Sequence, residues 1–189
     1  MSYILHLLKD QFQCHVVSRG YKGDGNSNDE ALLMPVPVHC NSKRIIGCKQ
    51  ATDAGASAII LDDGFQHRQL YRDCDIVLID ASRPWGSSNK LSGAVLPLGF
   101  LRESTQGLQR ADCLILSRCD QVSPARLQII KKQLQRFDKP LLSCTHKPSH
   151  ITTWNADEKS NSDPQALDSL NGQTLLLVSG IAHPQAFTR

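Results

Sequence analysis

Two adjacent carboxylates, Asp62 and Asp63, stand directly after an apolar run and just before Gly64, Gln66 and His67 in the string AIILDDGFQH. In open α/β sheets ligands bind beyond the carboxyl ends of strands, and two neighbouring acids repel unless a cation or a proton offsets them. One reading is a Walker-B-like magnesium site. The other is a strand ending in an Asp-Asp-Gly turn, its acids solvated and capping nearby backbone donors. His67 adds a group able to ligate or carry a proton, or simply a polar turn residue.

A second chemistry-bearing stretch, VVSRGYKGDGNSNDE, runs from a strand into a loop holding Arg19, Tyr21, Asp29 and Glu30. Glycines let a backbone approach a ligand, Arg binds phosphate in bidentate fashion, and paired acids hold a metal or accept a proton. A plain surface loop is the alternative. A third, IDASRPWGSSNKLSGAVLPLGFLRES, is long, punctuated by Gly and Pro, and ends at Arg102 and Glu103. Segments of this kind in compact domains are functional loops or disordered. Arg102 could clamp a phosphate and Glu103 reach a cation. Trp85, Leu91, Val95, Leu96 and Phe100 would either face an apolar ligand or pack on the core. The stretch ILSRCD echoes the N-K-x-D base-reading motif only distantly, and a strand followed by a helix cap explains it. The 189 residues contain neither G-x-x-x-x-G-K-[ST] nor G-x-G-x-x-G.

These groups need a scaffold. Short β-branched and leucine-rich runs at 14–18, 36–40, 58–61, 75–79, 113–117, 140–143 and 174–179 alternate with helix-length segments at 2–12, 43–54 and 123–137. That order describes an α/β protein with a parallel sheet covered by helices, its strands apolar throughout and buried on both faces. Ser123 before Pro124 is a helix N-cap with proline at the first helical position. Residues 155–172 are polar and breaker-rich, and read as a linker. The formal net charge of +3 is small and scattered, so it does not point to nucleic acid. No apolar run is long enough to cross a bilayer. Seven cysteines without a C-x-x-C pair point to reduced thiols in a reducing compartment. His39, Cys40 and Cys48 lack the spacing of a structural zinc site.

Taken in order, SRGYKG, NDEALL, ILDDGFQH, DIVLIDASRPWG, LPLGFLRES and RADCLIL, with SGIAHPQAF near the end, resemble the tetraacyldisaccharide 4'-kinase (lipid A 4'-kinase) family. The resemblance implies a P-loop-NTPase-like α/β fold over 1–150, a linker at 151–172, and the start of a second, smaller α/β domain at 173–189. It implies ATP and Mg2+ as cofactors and phosphorylation of the 4'-hydroxyl of an acylated glucosamine disaccharide 1-phosphate, giving lipid IVA. The expected place is the membrane surface at the cytoplasmic face of the inner membrane, or an organelle in a eukaryote. By motif position Asp29 resembles the general base. Asp62, Asp63 and Glu30 resemble the metal ligands. Tyr21, Arg44, Gln66, His67, Arg102 and Glu103 fall on positions that line the disaccharide and phosphate site.

Several features depart from the family pattern. The family's P-loop lies one helix upstream of SRGY, where this sequence has only residues 2–12, and the chain ends before the region that supplies a His partner to the catalytic Asp. The expected G-D-E-P reads Asn28, Asp29, Glu30, Ala31; the stretch 32–37 is short; and SSNKLSGAV stands as an insertion. These departures imply a chain truncated at both ends, with weak or no kinase activity by itself. Two other readings of the residues stand beside the kinase: a non-catalytic magnesium and lipid-phosphate binding module, and a metal-dependent phosphohydrolase built on Asp62, Asp63, His67 and Asp80.

Overall fold

The computed structural model describes residues 1–20, 34–86, 92–145, 147–155, 160–176 and 178. Backbone contacts divide the chain into two compact units, Met1–Asp73 and Cys74–Arg189. The boundary falls inside the 1–150 region that the sequence reading treats as one.

The first unit is built around β1 (Cys14–Ser18), which pairs in parallel with β2 (Val38–Cys40) on one edge and β3 (Ala58–Leu61) on the other. All five residues of β1 are buried. Alternate side chains serve two different layers. On one face Leu5 of α1 (Ser2–Leu8) joins Cys14 and Val16, with Val36, Val38, Ala58 and Ile60 around them. On the other face α2 (Arg44–Asp53) approaches so closely that a Cβ on Gly47 would lie 2.8 Å from Val17 Cγ1. Only glycine permits that approach, and it brings the N-terminus of α2 to the carboxyl end of the sheet. Helix α1 is shorter than the expected 2–12. The amides of Gln11 and Phe12 both donate to Leu8 O, which closes the helix and turns the chain into β1.

The second unit holds a parallel sheet in the order β4 (Ile76–Asp80), β5 (Cys113–Ser117), β6 (Leu141–Ser143). Its buried residues include Ile79, Leu114 and Leu116 of the sheet, with Ile130 and Leu134 of α3 (Pro124–Gln135) and Phe137 just beyond it. The expected cap holds: the Ser123 hydroxyl accepts the Arg126 amide at 3.3 Å, ahead of Pro124. Burial on both faces does not extend to this sheet, because Leu78, Ile115 and Leu142 lie in register across one face with Leu78 and Leu142 exposed.

The stretch read as a linker carries a small antiparallel pair, β7 (Trp154–Asn155) with β8 (Ser160–Asn161), and an Ile151 to Gln165 bridge. The last apolar run forms no strand among its described residues; Leu176 and Val178 are exposed there, with no neighbouring strand to donate the ladder that a strand requires. Among the described residues no helix is long and apolar enough to cross a membrane.

A buried histidine pair marks the core of the first unit. His15 is 2% exposed, and its Nδ1 lies 3.0 Å from Nε2 of His39 with the rings stacked 5.2 Å apart. One proton serves that contact. Burial first, and then the neighbouring His39, push the His15 pKa down. The folded state therefore refuses a proton that the unfolded chain accepts below about pH 6.5. Stability is expected to be full above that pH and to fall as the solution is acidified from pH 7 towards 5. Urea midpoints across this range should show the decline, with a shallower slope in His15→Asn; a flat profile for the parent chain would contradict the assignment.

Candidate functional site

The register of the first sheet sets the site. Val17 pairs with Leu61, so Ser18 and Asp62 leave their strands side by side, and the Asp62 amide continues the ladder by donating to Val17 O at 2.9 Å. The Ser18 hydroxyl reaches Asp62 Oδ2 at 3.4 Å. Asp63 takes the left-handed backbone region, φ 51°, which Asp tolerates better than most residues. Gly64 is required by proximity, since a Cβ there would lie 2.7 Å from Leu61 Cβ.

Arg44, the first residue of α2, closes over this turn. Its Nη2 donates to the carbonyl oxygens of both Asp62 and Asp63, at 3.0 Å each. Further along, the His67 amide donates to Gly64 O at 2.9 Å, and Arg72 donates to His67 O. Two nitrogens here, Arg44 Nε and His67 Nε2, are buried without a hydrogen-bond partner. Leaving such groups unpaired costs about 1–3 kcal/mol each, so they mark a place where a ligand or water belongs. Gln66 is exposed on the same segment.

The donor set at this turn is two carboxylates, and among the described residues no group of three or more His, Cys, Asp or Glu could enclose a metal. Two carboxylates fit Mg2+, which takes one or two of them and fills its shell with water and phosphate oxygens. Burial pushes the thiol pKa of Cys48 up, and Arg44 only partly opposes it; burial with Asp112, Cys113 and Asp75 does the same to Cys74. Neither thiol is poised as a nucleophile.

Tyr21, Asp29 and Glu30 lie outside the described residues. Arg102 and Glu103 belong to the second unit. Arg102 is exposed, whereas both Glu103 oxygens accept from Arg110 Nη2 at 3.0 and 2.9 Å. A Cβ on Gly107 would fall 2.5 Å from Glu103 Oε2, so a side chain there would displace the Glu103 carboxylate from its present place. Before Arg102 the chain folds on itself: Leu96 donates to Leu101 O at 2.8 Å and Gly99 to Val95 O at 2.9 Å. This turn holds Leu96, Leu98 and Phe100 outward at 60%, 74% and 70% exposure. Val95 is 40% exposed, so the apolar residues of this loop do not pack on the core. Trp85 is half-buried and donates its indole N–H to Gln133 at 3.1 Å; Leu91 lies outside the described residues. Asp80, in the second unit, accepts from Arg118 at 2.7 Å and from the Ser82 amide and hydroxyl.

The model of the family described as tetraacyldisaccharide-1-P 4'-kinase matches residues 1–189. The chain belongs to this family. A curated tetraacyldisaccharide 4'-kinase from Halothermothrix orenii is 32% identical over 99% of the chain and 56% of the relative. Those of Anaeromyxobacter sp. strains Fw109-5 and K are 33% and 35% identical over 88% and 86% of the chain, and over 44% and 42% of their own lengths. The chain thus spans about half the length of the curated relatives it matches. No solved structure matches. Family membership makes this a kinase-family α/β protein.

Ser18, Arg72, Gly107 and Arg110 support these residues without having been singled out from sequence. Ser18 was findable, as the last residue of a strand in register with AIIL. Arg110 was not, because a pairing seven residues away across a 3-10 turn leaves no periodic signal. Gly107→Ala is expected to cost about 0.5–1 kcal/mol by displacing the Glu103–Arg110 pair. In Arg110→Ala the same change should cost much less, since the pair is already gone. Urea denaturation of the four proteins in this cycle tests the coupling; additive costs would refute it.

Proposed function

We propose that these 189 residues form part of an enzyme that transfers phosphate from ATP to the 4'-hydroxyl of a tetraacylated glucosamine disaccharide 1-phosphate. The observation that carries the proposal is the Asp62–Asp63 turn at the carboxyl end of β3, in a chain matched along its whole length by the family. Phosphoryl transfer depends on positioning and charge neutralisation more than on covalent chemistry. A magnesium ion, when bound, would neutralise charge on the phosphates.

The chain's own residues divide the remaining work. Asp62 and Asp63 would hold the cation, and Glu30, next to Asp29 in the sequence, is a further ligand by motif position. Asp29 takes the proton of the attacking hydroxyl. By motif position Tyr21, Gln66 and His67 are assigned to sugar and phosphate binding, which the unpaired His67 Nε2 supports for His67, and Arg102 is assigned to phosphate binding by motif position alone. Glu103 acts through its ion pair with Arg110, holding the segment from which Arg102 projects. The exposed Leu96, Leu98 and Phe100 offer an apolar surface next to a cationic side chain, suited to acyl chains and the membrane surface at the cytoplasmic face of the inner membrane.

The test is equilibrium binding of the purified chain to vesicles of one phospholipid, with and without tetraacyldisaccharide 1-phosphate. Saturable retention that requires the disaccharide is expected. It should weaken about tenfold or more in Leu96→Asp/Phe100→Asp. Equal retention on both vesicles, or none on either, would overturn the substrate assignment. With ATP and magnesium added, Asp29→Asn should abolish any 4'-phosphate that the parent chain forms.

A further inference from the structure

Arg44 carries more than a place in a lining. By motif position it falls among the residues that would touch substrate, yet the Nη2 bonds that hold it go to backbone, to the carbonyl oxygens of Asp62 and Asp63. One guanidinium nitrogen thereby bridges two successive peptide units. Those units flank Asp63, which holds a φ of 51°. Gly64 behind it admits no side chain against Leu61, and the Asp62 amide in front is fixed to Val17 O. The turn is held from the strand side by the ladder and from the helix side by Arg44.

The origin of Arg44 explains why it can do this. It is the first residue of α2, and Gly47, one turn on, lets that helix sit directly over Val17. The Lys43 amide donates to Asn41 Oδ1 at 2.9 Å, which fixes the entry of the chain into the helix. The guanidinium is therefore delivered by a rigid element, and its two carbonyl bonds hold it on the turn.

We infer that Arg44 is a positioning residue that clamps the Asp62–Asp63 backbone and so presents both carboxylates to a divalent cation, acting through the two hydrogen bonds of its Nη2 and not through its charge. The inference rests on the cation reading of the acidic turn. Geometry and charge make opposite demands. A positive charge beside a cation site weakens binding, so removing it would tighten binding if charge were the main effect. Loss of a clamp that orients ligands weakens metal binding, as a rule by about 10- to 100-fold. Lys keeps the charge but carries its ammonium on a flexible stem, without the planar group that aims both Nη2 hydrogens at fixed positions, so the two carbonyl bonds are no longer held in place.

The experiment compares the parent chain with Arg44→Lys and Arg44→Met by two measurements. Amide hydrogen exchange without metal reports the clamp: both variants are expected to speed exchange at Asp62 and His67 by about tenfold or more, with the β1 amides unchanged. Unchanged exchange at these two amides would overturn the clamp. Mn2+ binding followed by electron paramagnetic resonance reports the consequence, and both variants should bind about tenfold more weakly. Tighter binding by Arg44→Met, or parent-like binding by Arg44→Lys, would overturn geometry in favour of charge. Absence of Mn2+ binding by the parent chain would overturn the cation reading and the presenting role with it, leaving the clamp to be judged by exchange.

Discussion

Strand β1 is hydrogen-bonded along both edges and buried on both faces, and the arrangement at its carboxyl end follows from that constraint. A parallel strand with neighbours on each side has no freedom of register, because a shift by one residue would turn Cys14 and Val16 into the layer of His15 and Val17. Ser18, Asn41 and Asp62 consequently leave the sheet together, and the Asn41 and Asp62 amides donate to the carbonyls of Ser18 and Val17. The chemistry-bearing turn is an extension of the core's own ladder.

Three features then convert a strand end into a site. Gly47 admits α2 at close range, Gly64 admits the turn against Leu61, and Arg44 ties the helix to the turn. Each is a small residue or a backbone contact that a substitution table would score lightly. Together they fix the backbone that carries the two acids. The second unit uses a different device: Glu103 is spent on Arg110, Asp80 on Arg118, and the residues left exposed are Arg102 and an apolar turn.

Much of this was legible in the residues. Cys14–Ser18, Ala58–Leu61 and Cys113–Ser117 are apolar runs of strand length whose bounds were read directly, and Ser123 with Pro124 announced α3. The acidic turn was legible because Asp-Asp-Gly follows a β-branched run. What composition could not show was the role of Arg44: the string KRIIGCKQ gives a helix, but whether its first guanidinium meets a substrate or a backbone depends on the packing of α2. The loop before Arg102 was ambiguous for a related reason. Val95, Leu96 and Phe100 are as apolar as core residues, and only the turn's internal hydrogen bonds show that they face outward. The polar stretch after 150 hid a short hairpin because two-residue strands carry no alternation to detect.

The proposed function turns on the pair of carboxylates beyond β3. The most direct measurement of that pair is paramagnetic broadening of backbone amides of the 15N-labelled chain as Mn2+ is added. Broadening is predicted to begin at Ser18 and Asp62 to Gly64, and to be displaced by excess Mg2+. Broadening that begins in the second unit, or that is spread evenly over exposed carboxylates and ignores Mg2+, would contradict the assignment of this turn as the cation site.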